Sequence, residues 1–144
     1  MLTIKFKKLN DNGRIPVKTY NKDAGWDLFS SDEIAIAPGQ TLKIPTSISV
    51  EIPEGYVGII HDRSSVGAKG LTVFGGVIDS AYRGEIGILL HNTFHPDMNY
   101  TYSVAKGDKI AQMLILPVPE VEFVEVEELE KSDRAEKGFG SSGI

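Results

Sequence analysis

Hydrophobic positions along this chain recur at every second residue in five places. Leu2, Ile4 and Phe6, then Ile34 and Ile36, Leu42 and Ile44, and Ile48, Val50 and Ile52 alternate with other residues, as do Val121 and Phe123, with Val126 slightly out of step. Successive side chains of a strand point to opposite faces, so this alternation predicts half-buried strands. Continuous apolar runs at 57–60, 86–90 and 113–116 predict strands covered on both faces. Turn signals at Pro38-Gly39, Pro53-Glu54-Gly55, Gly75-Gly76 and Lys106-Gly107-Asp108 separate these segments. Many short strands at this spacing predict an all-β sandwich or barrel. Helix is expected only as one turn near Ser65 to Ala68 and as a weak acidic piece around Val126 to Lys131. There is no internal repeat and no sign of a second domain.

Composition narrows the picture. At 144 residues the chain has single-domain length, at which folding buries about 68–70% of the unfolded surface. After Leu129 almost nothing is left for a core except Phe139 and Ile144, so residues 1–130 are expected to form the domain and 131–144 a flexible C-terminal arm. There are no cysteines, which excludes disulfides and Cys-ligated zinc and is compatible with a reducing compartment. The start of the chain lacks the apolar run of a secretion signal. The longest apolar stretch, Met113 to Val118, is far short of the roughly 20 residues that span a bilayer. A soluble protein is expected, cytoplasmic or in the host cell interior if viral, with no membrane partner. Fifteen Lys plus Arg against twenty Asp plus Glu give a net charge of −5, the wrong sign for a partner of polymeric nucleic acid. A local cluster of donors can still hold a small anion.

Four segments carry chemistry. Asp62-Arg63-Ser64-Ser65-Val66-Gly67-Ala68-Lys69-Gly70 brings an Arg fork, hydroxyls and close-approach glycines together, a cradle for phosphate oxygens or else a polar turn with a Ser cap. It is not a P-loop. In Gly75-Gly76-Val77-Ile78-Asp79-Ser80-Ala81-Tyr82 a lone acid stands among apolar residues and glycines. Asp79 fits two readings there: general base for a water, with Tyr82 offering a face to a sugar or base, or cap of the Ser-Ala turn. Gln112 stands in a strand that reads as buried, where its amide is either one satisfied core group or a ligand contact. The tail from Arg134 through Gly138-Phe139-Gly140-Ser141-Ser142-Gly143 is either solvated or folds over an anion, with Phe139 stacking on a base. His91 and His95 lack the Glu of the zinc-protease pattern and read as structural or surface residues, and His61 as a strand end.

In order, these segments resemble the motifs of the trimeric dUTPase family over nearly the whole chain. The motifs read Ala24-Gly25-Trp26-Asp27-Leu28, with Trp26 where Tyr is usual; Arg63-Ser64-Ser65 through Gly70; Gly76-Val77-Ile78-Asp79 with Tyr82-Arg83-Gly84; Gly107-Asp108-Lys109-Ile110-Ala111-Gln112; and Arg134 with Gly138-Phe139-Gly140-Ser141-Ser142-Gly143. The resemblance implies a jelly-roll-like β-barrel, a homotrimer with active sites shared between subunits, and a C-terminal arm that closes over each. It implies hydrolysis of dUTP to dUMP and pyrophosphate with Mg²⁺ on the triphosphate, which keeps waters and needs few protein ligands; Asp27 acts, if at all, through such a water and is not a ligand. By position, Asp79 orients the attacking water and Tyr82 packs on the deoxyribose. Backbone groups of Gly75, Gly76, Val77 and Ile78 read uracil, and Arg63, Ser64, Ser65 and Gln112 hold phosphates. Arg134, Gly140, Ser141 and Ser142 close on the β- and γ-phosphates, while Phe139 covers the base.

The sequence departs from the family in two places. Val73-Phe74-Gly75 stands where an Asn is frequent, leaving base recognition to backbone groups, and the last motif reads Arg-Ala-Glu-Lys-Gly-Phe with Ser142 for the usual Thr. A dCTP deaminase shares the fold, but the position of its proton-transferring Glu is Leu89. A non-catalytic nucleotide binder has no need of Asp79.

Overall fold

The computed structural model describes residues 1–132, and regular structure in it is almost entirely strand. In chain order the strands are β1 (Lys5–Lys8), β2 (Trp26–Phe29), β3 (Ile34–Ile36), β4 (Thr41–Pro45), β5 (Ile48–Glu51), β6 (Tyr56–His61), β7 (Leu71–Phe74), β8 (Val77–Ile78), β9 (Gly87–Asn92), β10 (Tyr102–Val104) and β11 (Lys109–Pro117). One helical turn, α1 (Ser64–Gly67), interrupts them, one residue earlier than the turn expected near Ser65 to Ala68. No helix among the described residues is long and apolar enough to cross a membrane.

The strands pair antiparallel in four sheets: β1-β5, β3-β10, β4-β9-β7 and β2-β11-β6-β8. The long strand β11 lies inside the last sheet: Met113 is buried and faces Ile60 on one edge and Trp26 on the other, whereas Leu114 and Ile115 have partners on β6 only and Leu116, expected to be covered, is 43% exposed. The alternation predicted for β3, β4 and β5 places Ile36, Ile44, Ile48 and Val50 in one core with Leu28, Leu71, Ile88, Leu90 and Ile110. Burying these branched side chains is the main stabilising term, roughly 1.5–3 kcal/mol each.

Three other expectations are corrected. The run at 86–90 is covered on one face only, because Ile88 and Leu90 are buried whereas Leu89 points outward and is 40% exposed. β1 covers only the end of the Leu2-Ile4-Phe6 alternation, and its four residues are exposed. The segment with Val121, Phe123 and Val126 forms neither the predicted strand nor the acidic helix: Phe123 is 97% exposed, and no element follows Pro117 among the described residues. The reason is the lack of a partner. Val118 N–H still donates to Gly55 O at 2.8 Å, but an alternating pattern sets propensity and cannot supply the second strand that a ladder requires.

A buried amide ties two sheets together. Asn92 on β9 is fully buried; its Nδ2 donates to Ile36 O at 3.0 Å and to Tyr100 O at 2.9 Å, and its Oδ1 accepts from Phe94 N at 3.2 Å. Replacing it by Ala orphans these groups in a dry site. Asn92→Ala is expected to lower unfolding stability by about 2–3 kcal/mol, read as a shifted denaturant midpoint at unchanged slope.

Candidate active site

Three of the expected phosphate contacts follow β6 directly. The chain leaves His61, passes Asp62 and enters α1, so Arg63, Ser64 and Ser65 form the head of the turn. Val66 N and Gly67 N both donate to Arg63 O at 2.9 Å, and Val66 is buried below. These contacts fix the loop backbone while the two hydroxyls stay exposed. Gln112 on β11 stands opposite Asp27 of β2 and His61 of β6. Its amide is satisfied, since Nε2 donates to Asp62 O at 2.8 Å. A Cβ on Gly25 would lie 2.2 Å from Gln112 Oε1, so the glycine makes room for the amide.

Arg63 is held by a residue that the sequence reading left aside. Asp27 is 8% exposed, and a charge so placed is costly unless paired. Arg63 Nε donates to its Oδ1 at 2.8 Å and Lys109 Nζ to its Oδ2 at 2.7 Å. Thr19 Oγ1 stands 3.5 Å from Oδ2 and accepts from Lys109 Nζ at 3.1 Å. Arg63 Nη1 also donates to Ser65 Oγ and to Lys109 O, both at 3.4 Å, and the residue borders a polar cavity of about 420 Å³ whose other walls include Thr19, Tyr20, Asp23, Ser64 and Gln112. Beyond Arg63 a second cavity of about 380 Å³ is bordered by Ser65, Lys69 and Lys109. Guanidinium, ammonium, hydroxyl and amide N–H groups around polar space are the donors a polyphosphate needs.

The other expected residues gather apart from these. Gly75 and Gly76 join β7 to β8 with φ of +72° and +103°, angles that glycine adopts without steric cost. Ile60 N donates to Gly76 O at 2.7 Å, and a Cβ on Gly76 would meet Ile60 O at 2.8 Å. The Gly76 main chain therefore sits directly against Ile60, and β8 continues along β6 with Val77 opposite Ile59 and Ile78 opposite Gly58. Val77 points to solvent and Ile78 is half-buried. Asp79 follows, exposed, and its carbonyl accepts from Tyr82 N at 3.0 Å, closing a four-residue turn. None of Gly75, Gly76, Val77, Ile78, Asp79 and Tyr82 lines the cavity of Arg63 and Gln112. Asp62 links the two groups, because its carbonyl accepts from Gln112 while its carboxylate accepts from Thr72 Oγ1 at 3.1 Å and from Val73 N at 2.5 Å.

Arg134, Phe139, Gly140, Ser141 and Ser142 lie outside the described residues. His91 shares a hydrogen bond with Thr41 at 2.9 Å and stacks on Phe74, and His95 sits beside Asp97 on the surface. Among the described residues no three His, Asp or Glu side chains converge as a metal cage. Asp27, Asp62 and Lys109 are the site residues missed from sequence; the available signal was an acid inside the apolar strand Trp26-Asp27-Leu28-Phe29, which burial obliges to find a cation.

The dUTPase family model matches residues 11–143. The chain is 44% identical to the deoxyuridine 5'-triphosphate nucleotidohydrolase of Clostridium tetani, over 98% of this chain and 97% of that one, and 38% identical to that of Variola virus, over 98% and 93%. Among solved structures it is similar to the dUTPase of Staphylococcus bacteriophage 80alpha with the analogue dUPNHPP, with a TM-score of 0.93, 36% identity and complete coverage of both chains. A variant of the phage phi11 dUTPase, which coordinates a structural Mg(II) ion, matches with a TM-score of 0.83 and 33% identity over 90% of this chain and all of that one. The chain belongs to the dUTPase family, hydrolases that convert dUTP to dUMP and pyrophosphate by attack of water on the α-phosphorus.

Proposed function

We propose that Asp79 is the general base of this hydrolysis and that the triphosphate lies in the cavity of Arg63, Ser64 and Gln112, with Ser65 at its edge. The observation that carries this reading is the Arg63 guanidinium fixed by Asp27 against a polar cavity. Attack at phosphorus asks the protein for positioning and charge neutralisation more than for covalent chemistry. Asp79 takes a proton from water as its oxygen bonds to the α-phosphorus. The bond from that phosphorus to the α,β-bridging oxygen then breaks, and pyrophosphate departs with its charge held by Arg63 and the neighbouring donors. Enzymes of this family are Mg²⁺-dependent. When bound, the ion would neutralise phosphate charge, and Asp23, on the cavity wall, would hold it through its waters.

Tyr82 is assigned to the deoxyribose and the backbone of Gly75 to Ile78 to uracil. Asp79 and Tyr82 stand apart from the Arg63 cavity within one chain, which supports sites shared between the subunits of a homotrimer. An apolar groove of about 360 Å³ lined by Leu2, Phe6, Trp26 and Met113, together with exposed Val121, Phe123, Val124 and Leu129, is surface that such an assembly would cover. In this reading each subunit is a jelly-roll-like barrel over residues 1–130, and residues 131–144 form the arm that brings Arg134, Phe139, Gly140, Ser141 and Ser142 to a bound nucleotide.

With Mg²⁺ the protein is expected to release pyrophosphate from dUTP with strong preference over dCTP, dTTP and UTP in a coupled phosphate assay; equal turnover of dTTP would sink the assignment of the uracil pocket. Asp79→Asn is expected to keep dUTP affinity by calorimetry while kcat falls roughly 10²–10⁴-fold, and surviving turnover would place the base elsewhere. Deleting residues from Arg134 onward is expected to lower kcat/KM while the thermal unfolding transition stays in place. Loss of the folded state in that deletion would make the arm structural.

A further inference from the structure

Gly84 is a glycine for a reason its own backbone does not supply. It is not among the glycines with positive φ, so the main chain there accommodates any L residue. The obstacle is the ring of Tyr82: a Cβ on Gly84 would lie 2.3 Å from Tyr82 Oη, 2.5 Å from Cζ and 2.9 Å from Cε2. Tyr82, although 43% exposed, is folded back over Gly84 with Oη donating to Glu85 O at 3.0 Å.

The carbonyl that receives this bond is itself anchored. Glu85 Oε1 accepts from Ser47 N at 2.8 Å. Ser47 has a φ of 54°, a left-handed conformation that a non-glycine residue keeps only where its surroundings fix it. Here Ser47 Oγ donates to Ser31 Oγ at 2.8 Å and Asn10 Nδ2 donates to Ser47 Oγ at 3.0 Å. The next residue, Ile86, is fully buried, and its N–H donates to Ile48 O at 2.9 Å. Toward Asp79, Arg83 Nη1 donates to Ser80 O and to Tyr82 O.

We infer that Gly84 is a positioning residue for sugar discrimination: by leaving the space above its Cα empty, it lets the Tyr82 ring dock on a strap anchored in the core. This rests on the assignment of Tyr82 to the deoxyribose. An exposed tyrosine free to change rotamer would yield to a 2′-hydroxyl, whereas one tethered at its far end is a wall. Gly84 thus turns a flexible aromatic into a steric gate without touching substrate.

Steady-state kcat/KM for dUTP and UTP, measured on the full chain with Mg²⁺, tests the inference. Gly84→Ala is expected to lower the dUTP-to-UTP ratio at least roughly tenfold, because the ring is the part free to move, while the melting temperature stays within a few degrees. Tyr82→Phe keeps the ring but removes the tether, and is expected to lower the ratio by roughly fivefold. A folded Gly84→Ala protein with the wild-type ratio overturns the inference; if that variant does not fold, an unchanged ratio in Tyr82→Phe does so. Tyr82→Ala separates the two layers of the argument. If it keeps the wild-type ratio, the assignment of Tyr82 to the sugar has failed; if it alone loses the ratio, only the role of Gly84 has.

Discussion

The carboxylate of Asp27 is the charge around which the Arg63 cavity is arranged. Burial on β2 makes it costly by itself, and both oxygens are answered by cations from distant segments, Arg63 after β6 and Lys109 at the start of β11. Removing either partner would leave a buried ion half-compensated, which is worse than having no pair at all. The pairing therefore does more than add stability: it fixes where the guanidinium points, and Gln112, directly across from Asp27 in the register, extends the same wall. Around the two cavities Arg63, Lys69 and Lys109 stand against Asp23, Asp27 and Asp108, so the region is balanced in a chain whose total is −5, and a local set of donors there does not face the net negative field of the whole chain.

The chemistry divides along the sheet that carries it. One edge region brings charge and hydroxyls; the other is the edge strand β8, reached from β7 of a neighbouring sheet through the Gly75-Gly76 turn. Asp62 spans the two, with its carbonyl in one and its carboxylate in the other. A displacement of β7 would accordingly be felt at Gln112 through Asp62.

Much of this was legible in the residues. The alternation in β3, β4 and β5 found their core faces, and Gly75-Gly76 found the turn, because a one-residue shift of a strand or a side chain at positive φ has a large local cost. The ordered motifs located Arg63, Ser64, Ser65, Gln112, Asp79 and Tyr82 on loops and strand ends. What local pattern cannot encode is partnership. The alternation at 121–126 reads as a strand but finds no partner among the described residues, and Leu89 sits in an apolar run yet faces outward. Asp27 looked like a remote contact of a metal-bound water, since its salt bridges join residues 36 and 82 positions away. Gly84 read as part of a motif, and only the path of the Tyr82 ring gives its physical reason.

The pairing of β2 with β11 also has a consequence in time. Thr19 and Lys109, which share the Asp27 carboxylate, are separated by 90 positions, and Gln112 comes later still. Chains emerge from the ribosome at roughly 5–20 residues per second, so β2 is made several seconds before its partner exists. Until then Asp27 has no ammonium, and the cavity has no floor. The nascent protein thus spends most of its synthesis unable to assemble the Arg63 cavity, whose walls are complete only once β11 has been made.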